Sequence, residues 1–124
     1  MPDEPLDRLR PICLTFPEAT EQQRSSASTA FCVRGRIFVW YLDNHHSDGR
    51  VVLWCKAPPG AQPALVGSEP ERFFVPPYVG HHGWVGVWLD VAVDRIDWDE
   101  LADIVAESYC MTAPKRLAAL TNHQ

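Results

Sequence analysis

Long apolar runs are missing from this chain. The longest, Ile37 to Leu42, is six residues, far short of the ~20 needed to span a bilayer. Paired cysteines are missing as well: Cys13, Cys32, Cys55 and Cys110 stand singly, with no CxxC, so a zinc ribbon or thioredoxin motif has no support. Each lies among apolar residues, where a reduced thiol packs as a small hydrophobe, and buried free thiols are expected. The phosphate-loop and dinucleotide patterns GxxxxGK(S/T) and GxGxxG are absent. An excess of positive charge is lacking too, with eleven Lys and Arg against sixteen Asp and Glu and a net charge of −5. Extensive grip on a phosphate backbone is therefore not expected of the whole surface.

What is present fits one globular domain over residues 1–124, with 46% hydrophobic and 22% charged residues. Acids occupy the opening Met1-Pro2-Asp3-Glu4-Pro5, where a secretion leader needs a basic region, so a cytoplasmic location is the expectation. Eleven prolines and seven glycines imply short, interrupted elements. Charge is uneven along the chain. Asp90 to Glu107 holds seven acids against Arg95 alone. From Ala30 to Gly60 the balance reverses, with Arg34, Arg36, Arg50 and Lys56 against Asp43 and Asp48.

Leu6, Leu9 and Cys13 recur at helical spacing, predicting a helix over 5–14, shortened or bent by Pro11. The polar stretch Thr20 to Ser26 suits an edge strand, and Ser25 to Thr29 reads as a flexible turn. Strands are expected at Ala30–Val33 and Ile37–Leu42, joined by a tight turn at Arg34-Gly35-Arg36. The run Asp43 to Gly49 reads as the tip of a hairpin returning through Arg50 to Lys56. A short helix follows over Ala61–Val66, then strands at Phe73–Val75 and Trp84–Leu89. In the last of these, Val85, Val87 and Leu89 share one face and Trp84, Gly86 and Trp88 the other. Asp97 with Glu100 forms a capping box for a final long helix, which breaks at Thr112-Ala113-Pro114 before a terminal turn or two. The whole predicts an α+β fold, a mostly antiparallel sheet with helices in the order α-β3-α-β2-α.

The blocks Phe73-Phe74-Val75-Pro76-Pro77-Tyr78 through Gly83-Trp84-Val85, then Ser108-Tyr109, then Ala113-Pro114-Lys115-Arg116-Leu117, resemble the MmcQ/YjbR family of small bacterial proteins. Phe31 to Arg36 is similar to that family's first hairpin, with Cys32 where a basic or polar residue is usual. The resemblance implies a fold like that of secretion chaperones. It also implies DNA binding through two β-hairpin wings, here near Arg34–Arg36 with Asp43–Arg50, and near Tyr78–Trp84. Candidate phosphate contacts are Arg34, Arg36, Arg50 and Lys56, with Lys115 and Arg116 as a second basic point. An ordinary solvated hairpin surface is the alternative, and a protein-interaction or chaperone-like module is the rival function.

Other constellations carry less. His45-His46 and His81-His82 fall in loops without metal-ligand spacing and read as surface residues, so no metal or cofactor is expected. Trp40, Trp54 and Trp98 read as core. Trp84 and Trp88, separated by Gly86, leave room for a small-ligand site with Tyr78 and His82. Ser108-Tyr109 lacks the strand–turn–helix setting of a nucleophile elbow. No catalytic residue is assigned, and a non-enzymatic protein is expected.

Overall fold

The computed structural model describes residues 5–43, 50–90 and 95–121; the expected hairpin tip with His45, His46, Asp48 and Gly49 lies outside them. Helix α1 (Pro5–Leu14) buries Leu9 and Cys13, one turn apart on one face, and continues past Pro11. Four strands follow, β1 (Ala19–Ser25), β2 (Ser28–Val33), β3 (Arg36–Asp43) and β4 (Val51–Cys55), then α2 (Ala61–Ser68). Next come β5 (Phe73–Phe74), β6 (Val85–Trp88), α3 (Trp98–Thr112) and α4 (Lys115–Thr121). The strands form one sheet in the order β1-β2-β3-β4-β6-β5, antiparallel at every junction.

The α+β class is thus the observed one. Four strands rather than three precede α2, because the polar β1 pairs with β2 from Ala19↔Val33 to Ser25↔Ser28. The turn read over Ser25 to Thr29 is shorter than expected. Ser28 and Thr29 are buried members of β2, and the Ser25 hydroxyl, 2.8 Å from that of Ser28, tightens the link. The segment between β5 and β6, read as a loop, contains a 3-10 turn at Gly80–His82.

The sheet has two apolar faces. One packs on α1 and α3 and holds Phe31, Phe38, Val39, Leu53, Val85 and Val87 with Leu9, Val105 and Tyr109. The other carries Leu42, Val52, Trp54 and Trp84, with Ile37, Trp40, Phe74 and Trp88 against them. A β-bulge in β3 explains an assignment that simple alternation would miss. Phe31 pairs with Val39 and Cys32 with Ile37, leaving Phe38 extra. Phe38 and Val39 then both join the helix-side core while Ile37 and Trp40 lie opposite. In β6 the alternation is regular, and Val85 and Val87 face the helices as expected.

Helix α3 starts as its sequence requires. Asp97 accepts a hydrogen bond from the Glu100 N–H at 3.1 Å, meeting one of the donors a helix start leaves open. Its end is set by Pro114, which disfavours helical backbone in the residue before it; Ala113 is extended, at φ −74° and ψ 153°. The chain turns there and re-enters helix as α4. That break places Lys115 and Arg116 beside the β2–β3 turn.

Candidate nucleic-acid interface

The β2–β3 turn is a two-residue connection, Arg34-Gly35, between the paired Val33 and Arg36. Both central residues are left-handed, with φ 53° at Arg34 and 79° at Gly35, the hand that matches the twist of a hairpin. Glycine adopts it freely, whereas an arginine there costs about 1–2 kcal/mol. The Arg34 side chain is held in return by Glu18: Nε donates to Oε1 at 2.5 Å and Nη2 to Oε2 at 3.0 Å. Glu18 is itself left-handed, at φ 60°. This two-bond geometry is the strongest form of carboxylate–guanidinium contact. Arg34's hydrogen bond holds the Glu18 carboxyl below the usual carboxylate range.

Helix α3 sets where Glu18 stands. The Tyr109 hydroxyl donates to the Pro17 carbonyl at 2.6 Å, and its ring stacks on Phe16 at 4.8 Å and meets Phe38 edge-on at 5.4 Å. Ser108, one residue earlier, donates to the Lys56 carbonyl at 2.5 Å, with the Ile104 carbonyl at 3.0 Å. The Ser-Tyr pair therefore pins α3 to the end of β4 and to the chain just ahead of Glu18. Burial pushes the Cys55 thiol up to about 12. It stays protonated at neutral pH and is inert as a nucleophile.

Around Arg34 the break between α3 and α4 completes a corner. Arg34, Arg36 and Lys115 line one open depression of about 510 Å³, with Met111, Thr112, Ala113 and Pro114 beneath them. Arg116 lies within electrostatic reach of Glu18. Three exposed cations line the depression, and two, Arg34 and Arg116, act on Glu18. The turn and Lys115-Arg116, read from sequence as two separate basic points, form a single one.

The other candidates lie elsewhere. Arg50 precedes β4 at the far end of the sheet, about 20 Å from Arg36 along β3. There it pairs with Asp90 and covers the Trp88 ring at 3.9 Å. Lys56 is half-buried just past β4 and does not line the depression. The expected first basic hairpin is therefore divided: Arg34 and Arg36 at one end, Arg50, neutralised, at the other.

Tyr78, His82, Trp84 and Trp88 share none of the described cavities, and only Trp88 lines one, beside Phe73, Arg72 and Leu101. Trp84 is only 9% exposed, packed in the outer cluster. Trp88 stacks on Phe74 at 4.1 Å and on Arg50 at 3.9 Å; groups that close cannot share one side of a ring, so neither face is open. Tyr78, 72% exposed, and His82 point to solvent. This second wing has no cation, since no Lys or Arg occurs between Arg72 and Arg95. Among the described residues no three His, Cys, Asp or Glu side chains are placed to hold a metal ion, and no helix is long and apolar enough to cross a membrane. Cys13, Cys32 and Cys55 are free and buried, and Cys110 is free and exposed.

A six-stranded antiparallel sheet backed by helices, with cations collected at one turn, defines a small α+β protein with a cationic corner. The family model for YjbR matches residues 14–111, and the chain belongs to that family. The matched stretch includes Arg34 and Arg36 and ends before Lys115. Among solved structures, the crystal structure of Deinococcus radiodurans protein DR2400, with a DUF419 domain, is 21% identical, with a TM-score of 0.69. The likeness covers 87% of this chain and 80% of that one and shows a shared fold. No curated protein matches.

Proposed function

We propose that this YjbR-family chain is a non-enzymatic protein that binds DNA through phosphate contacts made by Arg36, Lys115 and Arg116, with Arg34, held by Glu18, beside them. The observation that carries the reading is the convergence of the β2–β3 turn and the α3–α4 break on one cationic depression. Guanidinium groups suit phosphate oxygens in geometry as well as charge. The reading keeps one wing of the double-wing arrangement and replaces the other with the start of α4. Its second support is that the nucleophiles nearest the core are occupied: Ser108 in hydrogen bonds and Cys55 as a buried thiol.

Three phosphate contacts predict weak binding that falls with salt, with a log–log slope near −3, since each contact contributes about −0.9. Fluorescence anisotropy of a labelled duplex at several salt concentrations measures it. Arg36→Ala and Lys115→Ala are each expected to reduce the slope by about one unit. A slope unchanged in both variants would exclude the corner as the binding surface.

Glu18 makes a further expectation, with opposite sign. Because Arg34 lowers its pKa, Glu18 is charged at neutral pH, and the pair persists until pH falls through that lowered value. Glu18→Gln imitates the acid form at neutral pH and leaves Arg34 without its neutralising charge. Duplex affinity at low salt should rise about three- to tenfold, and the same titration detects it.

A further inference from the structure

On its solvent side α3 presents Asp103, Ala106, Glu107, Cys110 and Met111, spaced i, i+3, i+4, i+7 and i+8 and so sharing one face. The opposite face carries the buried Leu101, Val105, Ser108, Tyr109 and Thr112. With Lys115, Ala118 and Ala119 of α4, and Pro58 closing one side, the solvent face forms a trench of about 540 Å³. Its walls are small or apolar and its ends are charged. Met111, 39% exposed, and Lys115 belong both to the trench and to the cationic depression, so the two are continuous. Asp103 and Glu107 stand at the other end, Asp103 about 12 Å from Met111 by helical rise.

We propose that this trench receives an amphipathic helical segment of a partner protein, acidic at the end meeting Arg34, Arg36 and Lys115 and basic at the end meeting Asp103 and Glu107. Three observations select this occupant. Alanines on both walls allow a third helix to approach at the 8–10 Å typical of packed helices. A Met in the floor adapts to differing apolar side chains. Opposite charges at opposite ends set a direction for the bound segment, which is how electrostatic complementarity selects a partner. A nucleic-acid strand following the same path would meet Asp103 and Glu107 with like charge, so the acidic end of the trench distinguishes its occupant from a duplex, although the two surfaces share Met111 and Lys115.

The probes are two labelled peptides of about 15 residues, long enough for helix to form. Both carry Leu and Ala at i, i+3, i+4 and i+7. One has Glu in its first turn and Lys in its last; the other has Gln at those positions. Because Cys110 is the one exposed thiol among the four cysteines, its rate of reaction with a disulfide reagent reports on the trench alone. The charged peptide should bind about tenfold tighter than its Gln twin and slow Cys110 modification about tenfold at saturation. The exposed Ala119, replaced in Ala119→Trp, should weaken that peptide about tenfold while thermal unfolding stays unchanged. Equal affinity for the two peptides, binding of neither, or full Cys110 reactivity at saturation overturns the proposal.

Discussion

Replacing Tyr109 with alanine is expected to destabilise the protein by about 3–5 kcal/mol, the usual cost of truncating a large buried aromatic. The ring is fully buried, stacked on Phe16 and edge-on to Phe38, so the cavity would open at the joint between α1, the sheet and α3. A domain of this size is stable by about 5–15 kcal/mol, and the midpoint of thermal unfolding should drop by roughly 10–20 °C. Tyr109→Phe separates the two roles of the side chain. It keeps the ring and removes the hydrogen bond to Pro17, at a cost of about 1 kcal/mol. If the hydroxyl also positions Glu18 against Arg34, Tyr109→Phe should alter duplex affinity more than its small effect on stability explains. Calorimetry and anisotropy on the same sample compare the two. A Tyr109→Ala protein that melts within a few degrees of the wild type would contradict the packing described.

The second large effect is on binding. Arg36→Glu combined with Lys115→Glu removes two attractive charges from the depression and adds two repulsive ones. Duplex affinity at low salt should fall about 100-fold or more, because the electrostatic term supplies nearly all non-specific binding. Both side chains are exposed, so stability should stay within about 0.5 kcal/mol. The same double reversal at Arg50 and Lys56 should cost far less binding, since Arg50 already faces Asp90 and Lys56 lies off the depression.

Much of the fold was legible in local sequence. The capping pair Asp97 and Glu100, the break at Pro114, the alternation of Val85, Val87 and Leu89 and the Arg34-Gly35 turn each depend on neighbours a few residues apart. What escaped depends on long-range register. The bulge that turns Phe38 and Val39 to the same side arises from pairing with Phe31 and Cys32, and alternation within β3 alone carries no sign of it. The shared face of Trp84 and Trp88 was legible and their environment was not, because Phe74 and Arg50 come from other elements to cover Trp88.

The candidate site was legible as residue types but not as a place. Arg34 and Arg36 were adjacent to a readable turn, and Lys115 and Arg116 to a readable break. Their meeting requires α3 to pack along β3, which no spacing encodes. Glu18 went unnoticed because its role exists only through a partner sixteen residues away. Ser108-Tyr109 was legible as a family block without a nucleophile's setting, and its work is to anchor two carbonyls. The one signal that could have pointed there was the apolar company of Tyr109 on the buried face of α3.

Nuclear magnetic resonance titration of the labelled protein with a short duplex locates the contact surface directly. The cationic-corner reading predicts that amide shifts concentrate at residues 33–36 and 111–116 and fade as salt is raised. Shifts centred on residues 78–84, or none at millimolar duplex in low salt, would contradict it.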